Sequence, residues 1–277
     1  MNLFDLSDQV AVVTGATKGI GRGIAERLAE HGAKVVVSSR HQQECDAVAI
    51  ALNDTYGKGA QVAVGIASDL EDIDSLQRLI DATLDKWARV DTLVCNAAIL
   101  PTIGPSKSTP PDFFDGLMRA NVHHNFRLCH MVIPQMVERG EGRIIIIGSA
   151  DGESPTPSRM AYSLSKAALA HMTRCLAVEF APQVRVNLVQ PGITRSAASE
   201  PVWKNEQVLD SITKTIPLGR IAEPDEVAAA VIFLAGSGGK STTGACIPVD
   251  GGSARLPATT ESGDQIEEIF EPDHKFN

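Results

Sequence analysis

Tyr162 and Lys166 stand four residues apart in AYSLSKAAL (161–169), an alanine-rich run with helical spacing, so a phenol and an ammonium project from one helix face. A free phenol titrates near ~10, too high for a base near neutrality, and a neighbouring ammonium favours phenolate. Thirteen residues before Tyr162, the apolar run IIIIGSADG carries Ser149 at its end, where a hydroxyl could hold a substrate oxygen against the phenol. Singly, each residue has an ordinary use: tyrosines pack helices, lysines solvate them and serines end strands. Their joint occurrence beside a nucleotide-type loop describes a proton-transfer site.

That loop is TGATKGIGRG (14–23), which follows the β-branched run QVAVVT and leads into the helical segment IAERLAEHG. Gly15, Gly19 and Gly21 let the backbone turn sharply and approach a pyrophosphate, with Thr17, Lys18 and Ile20 between them and a helix N-terminus behind. A glycine turn without a ligand is the plain alternative, and the strand–turn–helix context weighs against it. The G-x3-G-x-G spacing differs from G-x-G-x-x-G, and no Gly-Lys-Ser/Thr follows where a P-loop needs it, so a dinucleotide is favoured over a nucleoside triphosphate.

About 20 residues past such a loop, a carboxylate ordinarily accepts hydrogen bonds from the adenosine ribose. Here the second strand ends in Ser38, Ser39 and Arg40 instead. A serine can hydrogen-bond a 2′-phosphate, Arg40 can pair with it, and Lys18 adds a second cation, so NADP(H) is preferred over NAD(H). For Arg40 the competing reading is an ordinary surface cation. Asp69 and Leu70, after the third strand, are candidates to meet the adenine, although DLEDIDSL also reads as a helix cap.

Seven short β-branched runs must position these groups: QVAVVT (9–14), KVVVSS (34–39), QVAVGI (61–66), DTLVCN (91–96), RIIIIG (143–148), VRVNLV (184–189) and ACIPV (245–249). Each reads as a strand buried on both faces. Helical spacing fills the intervals near 20–31, 42–52, 73–88, 112–138, 159–181 and 224–236. The alternation predicts an α/β fold: one doubly wound, parallel, seven-stranded sheet of the Rossmann type in a single domain over 1–252. Residues 253–277 form an acidic tail in which Ile266, Ile269 and Phe270 share a short helical face, either frayed or docked on a neighbouring subunit.

The bulk composition excludes several partners. With 43% hydrophobic and 21% charged residues among 277, the chain can bury a sizeable core. A formal charge of −9 opposes nucleic acid and anionic membrane surfaces. No stretch nears the ~18 apolar residues of a membrane span, and no basic leader precedes an apolar core. Cys45, Cys95, Cys129, Cys175 and Cys246 are scattered without metal-ligand spacing, so no metal is expected and the chain is placed in the cytosol.

In order and spacing, TGATKGIG, CNAA, NVHH, GSADG, YSLSK, VRVNLVQPGITRS, PLGRIAEPDEVA and VDGG resemble the short-chain dehydrogenase/reductase family over about residues 7 to 252. The resemblance implies Tyr162 as acid/base, Lys166 lowering its pKa and binding nicotinamide ribose, and Ser149 orienting a carbonyl. It also implies that Asn121, in NVHH, supports a water-linked proton path to Lys166. Asn96 and Ala97 of CNAA would lie near the adenosine ribose. Pro191, Gly192 and Thr194 would contact nicotinamide, with Ser196 where the family usually carries threonine. Cys95 and Ala98 depart from the family's NNAG.

The family also implies a homotetramer, formed through helices 112–138 and 159–181 and the strand near 245–249. The substrate pocket is expected between 99–103, 151–158 and a lid over 194–216 that includes Val202, Trp203, Val208, Leu209 and Ile212. No strongly charged cluster marks these walls, although Asp151 and Arg159 are present, so a neutral ketone or secondary alcohol is the expected substrate. Three readings compete: a 3-oxoacyl-thioester reductase, an NAD-dependent secondary-alcohol dehydrogenase, and a silent NADP-binding regulatory protein.

Overall fold

A computed structural model describes residues 2–100 and 104–255. The seven expected strands form one parallel sheet in the order β3-β2-β1-β4-β5-β6-β7. They are β1 (Val10–Thr14), β2 (Lys34–Ser39), β3 (Ala63–Ala67), β4 (Thr92–Cys95), β5 (Gly142–Ile147), β6 (Val184–Pro191) and β7 (Cys246–Val249). β1 pairs with β2 on one side and β4 on the other, Val12 facing Val36 and Leu93. The chain therefore winds outward to β3, returns across β1 to β4 and winds the other way, which opens a crevice at the carboxyl ends of β1 and β4.

Period-two side-chain alternation explains why the strands read as continuous apolar runs. Ala11, Val13, Val35, Val37, Val94, Ile145 and Val189 face a core closed by α1 (Gly19–Glu30), α2 (Gln42–Tyr56) and the late helix Pro224–Ala235. Val12, Val36, Leu93, Ile144, Ile146 and Leu188 face the opposite core, closed by α3 (Ile73–Trp87) and two long helices of the second half. β3 and β7 depart from two-sided burial: both are edge strands, and most of their residues are only half-buried.

The single helix expected over 112–138 is three pieces: α4 (Pro111–Met118), a π-helical turn (Arg119–His123) and α5 (His124–Arg139). A π turn shifts the hydrogen-bond ladder by one residue, and such turns concentrate at functional positions. Here Asn121 sits in it, and its carbonyl, displaced from regular pairing, accepts from Asn125 Nδ2 at 2.6 Å. α6 (Met160–Phe180) then runs as expected from 159–181. The lid region folds as α7 (Glu200–Trp203) and α8 (Glu206–Thr213), pinned by buried Val202, Val208 and Ile216, before α9 (Pro224–Ala235). The tail residues Ile266, Ile269 and Phe270 lie outside the described residues, as do 101–103 of the expected pocket wall.

Candidate active site

The turn after β1 is built for an anion. Gly15 has φ +64° and Gly19 φ +57°, left-handed conformations that disfavour side chains. A Cβ on Gly21 would lie 2.2 Å from the Gly15 carbonyl oxygen and 2.4 Å from Asn96 Nδ2, so only glycine closes the turn on itself. Lys18 is the N-cap of α1 but makes no side-chain cap, and no acidic residue stands in the first helical turn. The first N–H groups of α1 are thus left for a ligand's phosphates, which is the fit a dinucleotide requires.

Asn96, expected near the adenosine ribose, also holds this cradle. Its Nδ2 donates to the carbonyls of Thr14 (2.8 Å) and Gly15 (3.1 Å). The Thr14 hydroxyl in turn accepts from the backbone N–H of Asn96 and Ala97, both at 3.1 Å. Thr14 is a residue that sequence reasoning passed over, and the signal was its place as the last strand residue before the glycines. Thr17 donates to Glu44 Oε2 at 3.2 Å, so its hydroxyl is engaged by α2, and Ile20 packs half-buried against the first core.

At the end of β2, alternation sorts the three candidates. Ser38 is fully buried and its Oγ pairs with Ser68 Oγ at 2.7 Å, which removes it from the phosphate-contact set. Ser39 is half-buried and Arg40 exposed. Asp69 is not the helix cap that DLEDIDSL suggested: Asp72 caps α3 by accepting from Asp74 N at 3.0 Å. Asp69 Oδ1 accepts from Glu71 N in the preceding turn, and Leu70 packs half-buried against the second core.

The four candidate catalytic residues lie around the carboxyl edge of β5, the π turn and the first turns of α6. Tyr162 is 7% exposed, Lys166 3% and Asn121 fully buried. The Ser149 hydroxyl accepts from Asp151 N at 3.2 Å and favours the Tyr162 phenolate by hydrogen bonding. Lys166 Nζ donates to the Ile147 carbonyl at 2.9 Å, and burial pulls its pKa down to about 8. Asn121 clamps the chain after β4 through both backbone groups of Ile99: Oδ1 accepts from its N–H (2.8 Å) and Nδ2 donates to its carbonyl (3.0 Å). Asn121 also donates to Ser165 Oγ at 3.3 Å, which joins the π turn to α6.

The charge balance at the phenol differs from the one read off the sequence. Burial raises the Tyr162 pKa, and the cation that opposes this most is Arg159, not Lys166; Asp151 raises it further. Arg159 Cζ lies 5.0 Å from the ring centroid and Lys166 Nζ 5.5 Å from it. A charged pair therefore stands against the phenol, Arg159 Nη1 to Asp151 Oδ2 at 3.2 Å. A signal was available: 159, 162 and 166 follow the i, i+3, i+7 spacing of one helix face.

The segment after β6 folds back over the phosphate cradle. Pro191 and Thr194 are buried, Gly192 and Ser196 half-buried, and Thr194 Oγ1 donates to the Gly192 carbonyl at 3.1 Å. Ser196 Cβ would stand 3.1 Å from a Cβ on Gly19, which sets this segment directly against the turn. Trp203 Nε1 donates to the Ser196 carbonyl at 2.8 Å, so α7 is tied to the same segment. An open groove of about 550 Å³ runs outward from here, lined by Gly19, Arg22, Arg195, Ser196 and Trp203. Among the described residues no cluster of metal-ligating side chains occurs, and no helix is long and apolar enough to cross a membrane.

Residues 15–254 match the family described as enoyl-(acyl carrier protein) reductase. Dehydrogenase/reductase SDR family member 4 of Bos taurus is 38% identical over 249 residues, which cover 90% of this chain and 88% of the relative. Among solved structures, the gluconate 5-dehydrogenase of Burkholderia cenocepacia J2315, in complex with NADP and tartrate, is similar with a TM-score of 0.85 at 28% identity, covering 92% of this chain and 98% of that one. The 3-ketoacyl-(acyl-carrier-protein) reductase of Brucella melitensis, complexed with NADH, gives 0.83 at 29% identity and covers 90% and 100%. A sheet wound this way, a glycine cradle at its switch point and relatives of this extent agree: the chain belongs to the short-chain dehydrogenase/reductase family.

Proposed function

We propose that this protein is an NADP(H)-dependent oxidoreductase that interconverts a ketone and a secondary alcohol. The observation that carries the reading is the convergence of Ser149, Tyr162, Lys166 and Asn121 at one sheet edge, with Tyr162 buried against the Ser149 hydroxyl. A bound nicotinamide would supply or accept the hydride. For reduction, Tyr162 donates its proton to the carbonyl oxygen while Ser149 holds that oxygen and stabilises its growing charge. Lys166 lies one turn away to bind the nicotinamide ribose and favour phenolate, and Asn121 keeps the π turn and the chain after β4 in place around it.

Exposed Arg40 and Lys18 support NADP(H), as does the absence of an acid at the end of β2; the NADP held by the Burkholderia relative agrees. An NAD-dependent alcohol dehydrogenase is the alternative, and the Brucella relative was solved with NADH. That relative also reduces the thioester reading to an experiment: turnover of an acetoacetyl thioester without turnover of simple ketones would favour it. A homotetramer is proposed from Phe126 and Val137 on α5 and Leu164 and Val178 on α6, large apolar side chains left exposed in a single chain. Unpaired cysteines, three of them buried, fit a cytosolic location.

The test is NADPH oxidation with a ketone panel, wild type against Tyr162→Phe. The variant is expected to lose about 10²–10⁴-fold in kcat while still binding NADPH. Wild-type turnover that survives the substitution would refute Tyr162 as the acid. NADPH binding with no turnover of any carbonyl or alcohol would favour the regulatory reading.

A further inference from the structure

We propose that Arg159, held by Asp151 across the face of Tyr162, is a positioning residue that stabilises the phenolate form of the acid/base tyrosine. The proposal rests on Tyr162 being that acid/base, and it names a second cation for the site beside Lys166.

The geometry is a closed network around one ring. Asp151 is 9% exposed and follows Ser149 by two residues; its backbone N–H donates to Ser149 Oγ at 3.2 Å. One carboxylate oxygen accepts from Thr156 Oγ1 at 2.6 Å, and the other faces Arg159 Nη1 at 3.2 Å. The Arg159 guanidinium carbon then lies 5.0 Å from the Tyr162 centroid, and its buried Nε has no hydrogen-bond partner. Asp151 therefore aims a planar cation at the ring from one side.

Among the described residues, Arg159, Lys166 and Asp151 are the charged groups that face the phenol, with the Ser149 hydroxyl at its oxygen. The two cations differ in kind. Lys166 is buried, donates to the Ile147 carbonyl, and gives up its proton at about 8. A guanidinium keeps its charge throughout the range in which proteins fold. At alkaline pH, where alcohol oxidation needs a phenolate base, Arg159 is the cation that persists beside it. Asp151 opposes this effect but is the smaller influence of the two on Tyr162.

The chain has two tyrosines, Tyr56 and Tyr162, so Tyr56→Phe leaves Tyr162 as the sole phenol. Ultraviolet difference absorbance then reads its ionisation directly, with circular dichroism over the same pH range to mark the folded limb. Against the Tyr56→Phe parent, adding Arg159→Met is expected to raise the midpoint by about 0.5–1 unit, and adding Arg159→Lys to leave it within about 0.3 unit. Should the methionine variant unfold, Arg159→Gln, neutral and still able to bond Asp151, carries the same expectation. An unchanged or lowered midpoint in the neutral variants overturns the proposal. So does an equal rise in the lysine variant, which would make the effect one of packing. The titration needs neither substrate nor cofactor, so its failure is distinguishable from failure of the oxidoreductase reading, which Tyr162→Phe turnover decides.

Discussion

Arg40→Ala is the substitution that decides how the adenosine end of the site discriminates. With Ser38 buried against Ser68, the polar groups left at the end of β2 are half-buried Ser39 and exposed Arg40, with exposed Lys18 across the glycine turn. Among the described residues neither cation is in an ion pair, so both are available to a 2′-phosphate. Two unit charges ~4 Å apart attract by about 1 kcal/mol in water and about 4 kcal/mol at an effective dielectric of ~20. An exposed arginine belongs near the lower figure, so the loss should be about 1–2 kcal/mol, or roughly 5- to 30-fold in NADPH affinity. NADH, which lacks the phosphate, should lose less than about twofold.

The assay is a fluorescence titration of both reduced cofactors against wild type, Arg40→Ala and Arg40→Lys. Lysine keeps the charge but not the planar fork, so it should recover part of the margin. Added salt should shrink the wild-type preference, because a contact at the surface is screened. Equal binding of NADH and NADPH by the wild type would refute the reasoning outright. Equal loss of both in Arg40→Ala would move Arg40 from the phosphate to the adenine or ribose.

Three further outcomes follow from the same structure. Carbonyl reduction needs Tyr162 protonated and Lys166 charged; burial holds the first above its ordinary value and the second at about 8. kcat/KM for reduction should therefore be flat on the acid side and fall as pH rises through about 8, and a profile flat to pH ~9.5 would contradict this assignment. Gly21→Ala drives a Cβ into the Gly15 carbonyl, so thermal stability should drop by about 1–3 kcal/mol and cofactor binding by tenfold or more. Gly116→Ala in α4 meets nothing within 4 Å and should instead stabilise by about 0.5–1 kcal/mol, as melting curves of both variants would read.

Much of the fold was legible because the signals were local and repeated. Seven β-branched runs at βα spacing admit few arrangements, and the parallel order follows once crossovers are right-handed. The same logic found Gly15, Gly19 and Gly21, since a turn that must bring backbone to phosphate has few sequences. Ser38 was not separable from Ser39 by type. Only their alternation on β2 sends one into the Ser68 contact and leaves the other half-buried at the rim. The break of the 112–138 helix was likewise invisible, because a π turn carries no composition of its own and exists here to let Asn121 grip Ile99.

The phenol's surroundings show where spacing stops being informative. Helical periodicity places Arg159, Tyr162 and Lys166 on one face equally well, and reference pKa values favour either cation as the one that activates the tyrosine. What separates them is tertiary. The β5 carbonyl of Ile147 ends within reach of Lys166 and draws its ammonium downward into the core, where burial weakens its hold on a proton. Asp151, fixed by Thr156 in the loop after β5, turns the Arg159 guanidinium over the ring instead. Both consequences come from one feature, the path of the chain as it leaves β5, which sets Ser149, Asp151 and the Ile147 carbonyl within a few residues of each other. The ammonium that titrates at about 8 and the cation that persists at alkaline pH are then different side chains, Lys166 and Arg159, so substituting Lys166 should alter the fall of reduction near pH 8 while substituting Arg159 should alter the rise of oxidation with phenolate.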